Sequence, residues 1–283
     1  MTIQWYPGHM AKAKREVQEK LKLVDIVIEL VDARAPYSTQ NPMLQELIDE
    51  KKKVIVLMKD DLADPQQTKK WIDRFKAEGN HALSMDVNQG KHIKALVEEV
   101  KTIGQNINKR REEKGINPRA IRAMVIGIPN VGKSTLINRL ANKKTLETGD
   151  KPGVTKKQKW IKVHGQLELL DTPGILWPKF EDQDVGYKVA AIGSIKDQLV
   201  HLDDLSIFVL KYFKEKYPNQ LKERFPIDWD SEVVEWFDQI GKQRGCLMGG
   251  GMVDYEKTAE IIIQDLRSGK LGPFTLDHPI EIN

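Results

Sequence analysis

At 283 residues, with 40% hydrophobic and 30% charged residues, the chain has the length and balance of a soluble protein of one large or two moderate domains. No window has the uninterrupted apolar length of a membrane span, Met1–His9 lack the apolar core of a signal peptide, and the lone Cys246 excludes an internal disulfide and a cysteine metal cluster. A cytoplasmic protein is the expectation; the net charge of +4 allows a nucleic-acid partner without requiring one.

Residues 1–20 form an N-terminal segment. The aromatic stretch Trp5-Tyr-Pro-Gly-His-Met10 carries a turn signal, and residues 11–20 are good helix formers with interleaved charges. His9 lies at the junction of the two. Val24–Val31 reads as a strand ending in the turn Asp32-Ala-Arg-Ala-Pro36, and Asn41–Ile48 as a helix with Pro42 at its first position. Val54–Leu57 is a second strand, followed by Met58-Lys-Asp-Asp61. Asp64-Pro65 opens a helix through Trp71, Ile72 and Phe75. His81–Ser84 is a short third strand, and Ile93, Leu96, Val97 and Val100 share one face of the next helix. Residues 108–120 read as a charged connector, or as the frayed end of that helix. Its basic set is Lys109, Arg110, Arg111, Lys114 and Arg119, interrupted by Glu112 and Glu113, which is the pattern of a solvated face.

Ala123–Ile126 is a buried strand leading into Gly127-Ile-Pro-Asn-Val-Gly-Lys-Ser134, and a helical spacing leads out of it. The pattern G-x-x-x-x-G-K-S between a strand and a helix is a loop whose backbone N–H groups can wrap a pyrophosphate at a helix N-terminus. Lys133 would reach the β- and γ-phosphates and the Ser134 hydroxyl would bind Mg²⁺. After the loop Lys151-Pro-Gly-Val-Thr155, Gln158–Val163 and Leu167–Leu170 form a hairpin across His164-Gly165. It ends in Asp171-Thr-Pro-Gly174. Asp171 is placed to hold the Mg²⁺ shell through water, the Gly174 N–H to sense the γ-phosphate, and Thr155 to close on Mg²⁺ when that phosphate is present. Alternating strands and helices to this point predict a three-layer α/β domain with a mostly parallel sheet.

Beyond residue 180 the periodicity is helical. Leu202, Leu205, Val209, Tyr212 and Phe213 recur on one face, as do Val233, Trp236, Phe237 and Ile240, and Tyr255, Ala259, Ile262, Ile263 and Leu266. Asp203, Asp230 and Asp254 sit where N-caps or first-turn acids belong, and Ser268-Gly269 ends the last helix. The aromatic stripes read as core.

Lys59-x-Asp61 after a buried strand resembles the N-K-x-D signature of GTPases. Its Asp accepts from guanine N1–H and N2–H while the Lys stem packs on the base. Ser84-Met-Asp86 resembles the S-A-K element that supports the base from the other side. In Ras-like GTPases the phosphate loop precedes these elements; here it follows them. The chain therefore resembles circularly permuted GTPases, and among them the bacterial ribosome biogenesis GTPase A family. The resemblance rests on Trp5–Met10, Val31-Asp-Ala-Arg-Ala-Pro36, Gly127–Ser134, Lys151–Thr155 and Asp171-Thr-Pro-Gly-Ile-Leu-Trp-Pro178.

The resemblance implies a circularly permuted Ras-like P-loop GTPase domain over residues 1–180 and an all-α domain over 181–283 that binds RNA or the ribosome. It implies a cytoplasmic, monomeric GTPase acting late in assembly of the large ribosomal subunit. The family binds the precursor through ribosomal RNA, is stimulated by the particle, and has no membrane partner. Nucleotide contacts would come from Met58, Lys59, Asp60, Asp61, Ser84, Asn130, Val131, Gly132, Lys133, Ser134, Thr135, Thr155 and Gly174. Mg²⁺ would be held by Ser134, Thr155 and, through water, Asp171. Asn130 is the candidate ligand for K⁺. Lys133 and Gly174 would serve catalysis, with His9 the candidate catalytic residue. Ile175 stands where Ras-like enzymes carry the water-orienting Gln, and an isoleucine cannot hold water by hydrogen bonding.

Two departures bear on the base. Met58 replaces the family Asn, and Ser84-Met-Asp86 replaces S-A-K. A thioether offers a weak acceptor and no N–H, so reduced guanine affinity or selectivity is expected. Two rival readings use the same loop: a nucleotide-sensing RNA-binding module with negligible turnover, and an ATPase or nucleotide kinase, against which Asp61 argues.

Overall fold

The computed structural model describes residues 15–48, 50–87, 89–142, 160–163, 165, 167–172, 174, 180 and 182–279. They form two compact units, one of residues 182–274 and the other of the described residues before them together with 275–279. The expectations for His9, Thr155 and Ile175 fall outside the described residues.

The first unit is built on six strands: β1 (Ile26–Asp32), β2 (Lys52–Met58), β3 (His81–Met85), β4 (Ile121–Gly127), β5 (Trp160–Val163) and β6 (Leu167–Asp171). Their order is β3-β2-β1-β4-β6-β5. All neighbours are parallel except β5, which pairs antiparallel with β6 as the hairpin pattern predicts. Every residue of β1 is buried, which is why its sequence is a Val/Ile/Leu run without alternation, broken by Glu29 and closed by Asp32.

Helices cover both faces. α1 (residues 15–21) and α2 (Pro42–Ile48) bury Val17, Leu21, Leu44 and Ile48 with Val27 of β1 and Met124 and Ile126 of β4. α3 (Pro65–Ala77) adds Trp71 and Phe75 beside Val31, Ile55 and Leu57, side chains on the same face of the sheet. Its start follows the sequence reading: the Asp64 carboxylate accepts from the Gln66 and Gln67 N–H groups at 2.8 and 3.2 Å. α4 (Gly90–Glu112) lies over the opposite face, where Gly104 approaches Ile121 so closely that an added Cβ would fall 2.4 Å from its side chain. α5 (Lys133–Leu140) packs on β4 and β6.

Helix α4 runs to Glu112, so residues 108–112 follow the second of the two readings, the end of that helix, and the connector begins after them. The charged run continues the helix because its side chains need only solvent on one face. The connector is tied down: Asn108 exchanges hydrogen bonds with the Arg119 backbone, and Arg111 donates to the Asn117 carbonyl. Arg119, read with the solvated basic set, forks onto Asp25 at 2.8 and 3.0 Å.

The helical unit holds α6 (Gln183–Ala191), α7 (Leu202–Lys216), α8 (Pro218–Arg224), α9 (Val233–Arg244) and α10 (Tyr255–Arg267). The aromatic stripes are core in part: Phe213, Trp236 and Phe237 are buried, and the Trp229 and Trp236 rings lie 5.1 Å apart, whereas Tyr255 is exposed and turns its hydroxyl to Asp238. Asp254 caps α10 and Asp203 lies in the first turn of α7, but α9 starts after Glu232, leaving Asp230 in the preceding turn. Residues 275–279 belong to the first unit, which corrects the expected helical domain over 181–283. Their ties are to Arg34, Ser38, Trp71 and Arg74.

One charge is misplaced for stability. Glu29 is buried on the face covered by α2, accepting from Gln45, and burial lifts its carboxyl from 4.5 to about 7 against the pull of Lys53. The folded state thus keeps a proton that the unfolded chain has lost, so stability falls as pH rises from about 4.5 to about 7. Glu29→Gln is expected to raise stability at pH 8 by about 3 kcal/mol and to leave it little changed near pH 4. Urea unfolding of both proteins at the two pH values checks this; equal midpoints at pH 8 would refute it.

Candidate functional site

The parallel register brings the C-terminal ends of five strands to one edge of the sheet. Asp32 pairs with Met58, Met58 with Met85, Leu30 with Gly127, and Val125 with Asp171. The loops after β1, β2, β3, β4 and β6 therefore leave the sheet together, where open α/β sheets bind ligands.

The loop after β4 departs from ordinary backbone in the way a phosphate cradle needs. Asn130 and Gly132 have φ of 60° and 107°. Gly127 passes so close to β1 that a Cβ there would fall 2.7 Å from the Leu30 carbonyl oxygen. Val131 is buried, Ser134 half-buried and Thr135 exposed. The Lys133 Nζ donates to the carbonyls of Gly127 and Ile128 at 3.1 and 2.8 Å, folded back along its own loop. Burial pushes its ammonium from 10.5 down to about 8, although the Asp171 carboxylate pulls it up.

Two further groups complete this half. The Thr172 hydroxyl donates to the Val125 carbonyl at 2.7 Å, fixing the end of β6 beside β4. Gly174 lies against the loop: a Cβ there would fall 2.8 Å from Pro129 Cα and 3.0 Å from Lys133 Nζ. Only a glycine leaves that space for a ligand. The buried Asp171 carboxylate and the Ser134 hydroxyl are oxygen donors, which suits a hard cation such as Mg²⁺.

The other half is the loop after β2. Lys59 is left-handed (φ 60°), and a short 3-10 turn holds Asp60–Leu62. The two acids have different surroundings. Asp60 accepts from the Ser84 hydroxyl at 2.8 Å, joining the loop after β2 to the end of strand β3. Asp61 is exposed, and its carboxyl is raised by partial desolvation and then by Asp86 and Asp60, with Arg34 acting the other way. The Lys59 ammonium lies 3.0 Å from Asp32 at the end of β1.

The halves meet at Met58. It is wholly buried, and its Cε lies 3.1 Å from the position a Cβ of Gly132 would take. The side chain expected among nucleotide contacts is thus a packing contact between the base-side loop and the phosphate loop. Asp32 and Arg34 were read in sequence as a turn and as part of the family resemblance, without a role, since nothing local shows that Asp32 faces Lys59.

A mostly parallel sheet whose phosphate loop follows its base-recognition loops in the chain defines a circularly permuted P-loop GTPase. Residues 122–239 match the family described as 50S ribosome-binding GTPase. The ribosome biogenesis GTPase A of Priestia megaterium is 56% identical, with 99% of this chain and 98% of that protein covered. That of Thermotoga maritima is 31% identical over 99% of this chain and 96% of its own. A solved structure described as GNP-bound YlqF from T. maritima superposes with a TM-score of 0.66 at 27% identity, covering 95% of this chain and 98% of that one. The chain belongs to the ribosome biogenesis GTPase A family.

Lys133 is expected to meet nucleotide phosphates as a cation. With the free ammonium at about 8, affinity is expected to be flat below that pH and to weaken above it, by up to about tenfold per unit. Titration of GDP binding between pH 7 and 9 checks this, with Lys133→Arg as the control that stays charged and should show no such slope.

Proposed function

We propose that this GTPase is a guanine-nucleotide switch in late assembly of the large ribosomal subunit. The triphosphate form docks on the precursor through ribosomal RNA, the particle stimulates hydrolysis, and the diphosphate form leaves. The observation that carries the reading is the contact of Met58 with Gly132, which sets a guanine-type loop beside a phosphate loop taken from a distant part of the chain.

In this reading Asp61, the exposed acid, accepts from guanine N1–H and N2–H, while Asp60 ties the loop after β2 to strand β3 through Ser84. Adenine lacks that donor pair, so the site selects guanine. The Lys59 stem lies against the base. Backbone N–H groups of residues 130–135 wrap the β-phosphate, and Lys133 turns from its loop carbonyls to the β- and γ-oxygens. Ser134 and Thr155 would hold Mg²⁺ directly and Asp171 through water, where the ion offsets charge on the phosphates. Asn130 is the proposed K⁺ ligand. The Gly174 N–H senses the γ-phosphate from a position where a side chain would strike Pro129.

The water needs a positioning group because Ile175 supplies none, and His9 is the proposed one. The helical unit is the proposed RNA-binding part, and a monomer is the proposed state. Among the described residues no helix is long and apolar enough to cross a membrane, and the proposed location is the cytoplasm.

Met58 is expected to cost guanine affinity. Restoring the family residue with Met58→Asn should tighten GTP binding about fivefold, the worth of one recovered hydrogen bond of about 1 kcal/mol. Competitive titration of GTP against ATP checks it, and unchanged affinity and preference would reject it. GTP turnover with and without purified large subunits, in K⁺ and in Na⁺, tests the switch. Stimulation by subunits and by K⁺ is expected, with about a hundredfold loss in His9→Ala if it is the general base or water-holding group. Turnover that stays negligible under every condition would leave a nucleotide sensor in its place.

A further inference from the structure

The turn Asp32-Ala-Arg-Ala-Pro36 touches the site through Lys59, and it holds an ion triad whose Asp32–Arg34 pair is completely buried while Lys59 is half-buried. Asp32 lies at the end of β1 with no exposed surface, and Arg34 is 2% exposed. The guanidinium forks onto the carboxylate, Nε to Oδ1 and the terminal nitrogen to Oδ2, both at 2.8 Å. The Arg34 backbone N–H adds a third bond to Oδ1 at 3.1 Å. Burial alone would raise the Asp32 carboxyl, but Arg34 and Lys59 outweigh it and hold the group well below the usual carboxylate range.

The triad is aimed at the base-side loop. The Lys59 ammonium sits 3.0 Å from Asp32 Oδ2, and the Ala33 N–H donates to the Met58 carbonyl at 2.8 Å. A lysine stem is flexible, and at a free position its ammonium would sample many rotamers. Pinning the ammonium at its far end to an immobile carboxylate fixes the course of the stem. Arg34 supplies that immobility, since Asp32 cannot turn while both oxygens are forked.

The turn is itself strapped by the far end of the chain. Asp277 is buried and accepts from the Ser38 N–H and hydroxyl at 2.7 and 2.8 Å. The Leu276 N–H donates to the Arg34 carbonyl at 2.6 Å and the Thr275 hydroxyl to that of Ala33 at 3.3 Å. Trp71 Nε1 donates to the Asp277 carbonyl at 2.7 Å, tying the strap to α3.

We propose that Asp32 is a positioning residue for guanine binding, fixing the Lys59 stem as a preformed shelf for the purine, and that Thr275–Asp277 strap the turn that carries it. This rests on the reading of Lys59–Asp61 as the base site. Pre-fixing the shelf removes an ordering cost that would otherwise be met at every binding event. The effect falls on the base and not on the phosphates, which lie in the loop after β4.

The test uses the full chain and two probes, GDP and inorganic tripolyphosphate, with Asp32→Asn, Lys59→Met, their combination, and Asp277→Asn. Asp32→Asn and Lys59→Met should each weaken GDP about tenfold, the scale of one charge-assisted contact, while tripolyphosphate binds as in the parent. The double variant should be no weaker than either single, because both remove the same constraint. Asp277→Asn should weaken GDP about threefold, again sparing tripolyphosphate. In turnover, KM for GTP should rise while kcat holds. Unchanged GDP affinity, parallel loss of both probes, or additive losses would each overturn the proposal. If Asp32→Asn does not fold, Lys59→Met decides the ion pair, since it keeps the stem and removes only the charge; full GDP affinity there overturns it. A parent chain with no preference for GDP over ADP would instead overturn the base-site reading itself.

Discussion

The site depends on strand register. Five strands run parallel, so each must end at the same edge of the sheet, and the pairing of Asp32 with Met58 and of Leu30 with Gly127 sets which residues meet there. A slip of one residue would turn every β1 side chain to the other face, exposing Val27 and Val31 to the wrong layer and moving Asp32 away from Lys59. Burial of β1 on both faces is what prevents that slip. The chemistry at the edge therefore inherits its precision from apolar packing some distance below it.

That register also explains why chain order can be rearranged without loss. The base-side loops leave β2 and β3, and the phosphate loop leaves β4, on the far side of β1. Their spatial relation is fixed by neighbours in the sheet and is indifferent to which strand is made first. The rearrangement does require a connection from the end of β3 back to the start of β4. Helix α4 supplies it, spanning 23 residues from Gly90 to Glu112 over the face that carries Ile121. The connector then enters β4 under a clamp, with Arg119 forked onto Asp25 and the Arg122 N–H donating to the same carboxylate.

What the sequence disclosed follows the range of the forces involved. The phosphate loop was legible because its chemistry is local: glycines for the backbone path, a lysine and a serine at fixed offsets, an apolar strand before and a helix after. The central strands β1, β2 and β4 were legible because burial on both faces leaves an apolar run, and β5 because one exposed face leaves an alternation. The extent of α4 was not, since charged residues are compatible with both a solvated helix and a loop, and α8 was missed because seven residues carry too little periodicity. The different duties of Asp60 and Asp61 are set by Ser84, 24 residues away from Asp60, and the strap by a pair 239 residues apart. No windowed pattern contains such pairs.

Met58 shows how a departure from a family pattern is absorbed. An asparagine at that point would tie the loop to its neighbour by hydrogen bonds. The methionine here is fully buried and reaches the same neighbour with its terminal methyl, 3.1 Å from where Gly132 would carry a side chain. Thioether packing against a glycine gives contact area without direction, because dispersion is indifferent to angle while a hydrogen bond is not. The loops then stay adjacent while the orientation of the base-side loop loses one directional restraint. Three restraints on that loop among the described residues are the ion pair of Lys59 with Asp32, the backbone bond from Ala33 to Met58 and the bond from Ser84 to Asp60. Two of those three run through the Asp32 turn, so with a methionine at position 58 the orientation of the loop after β2 rests mainly on that turn.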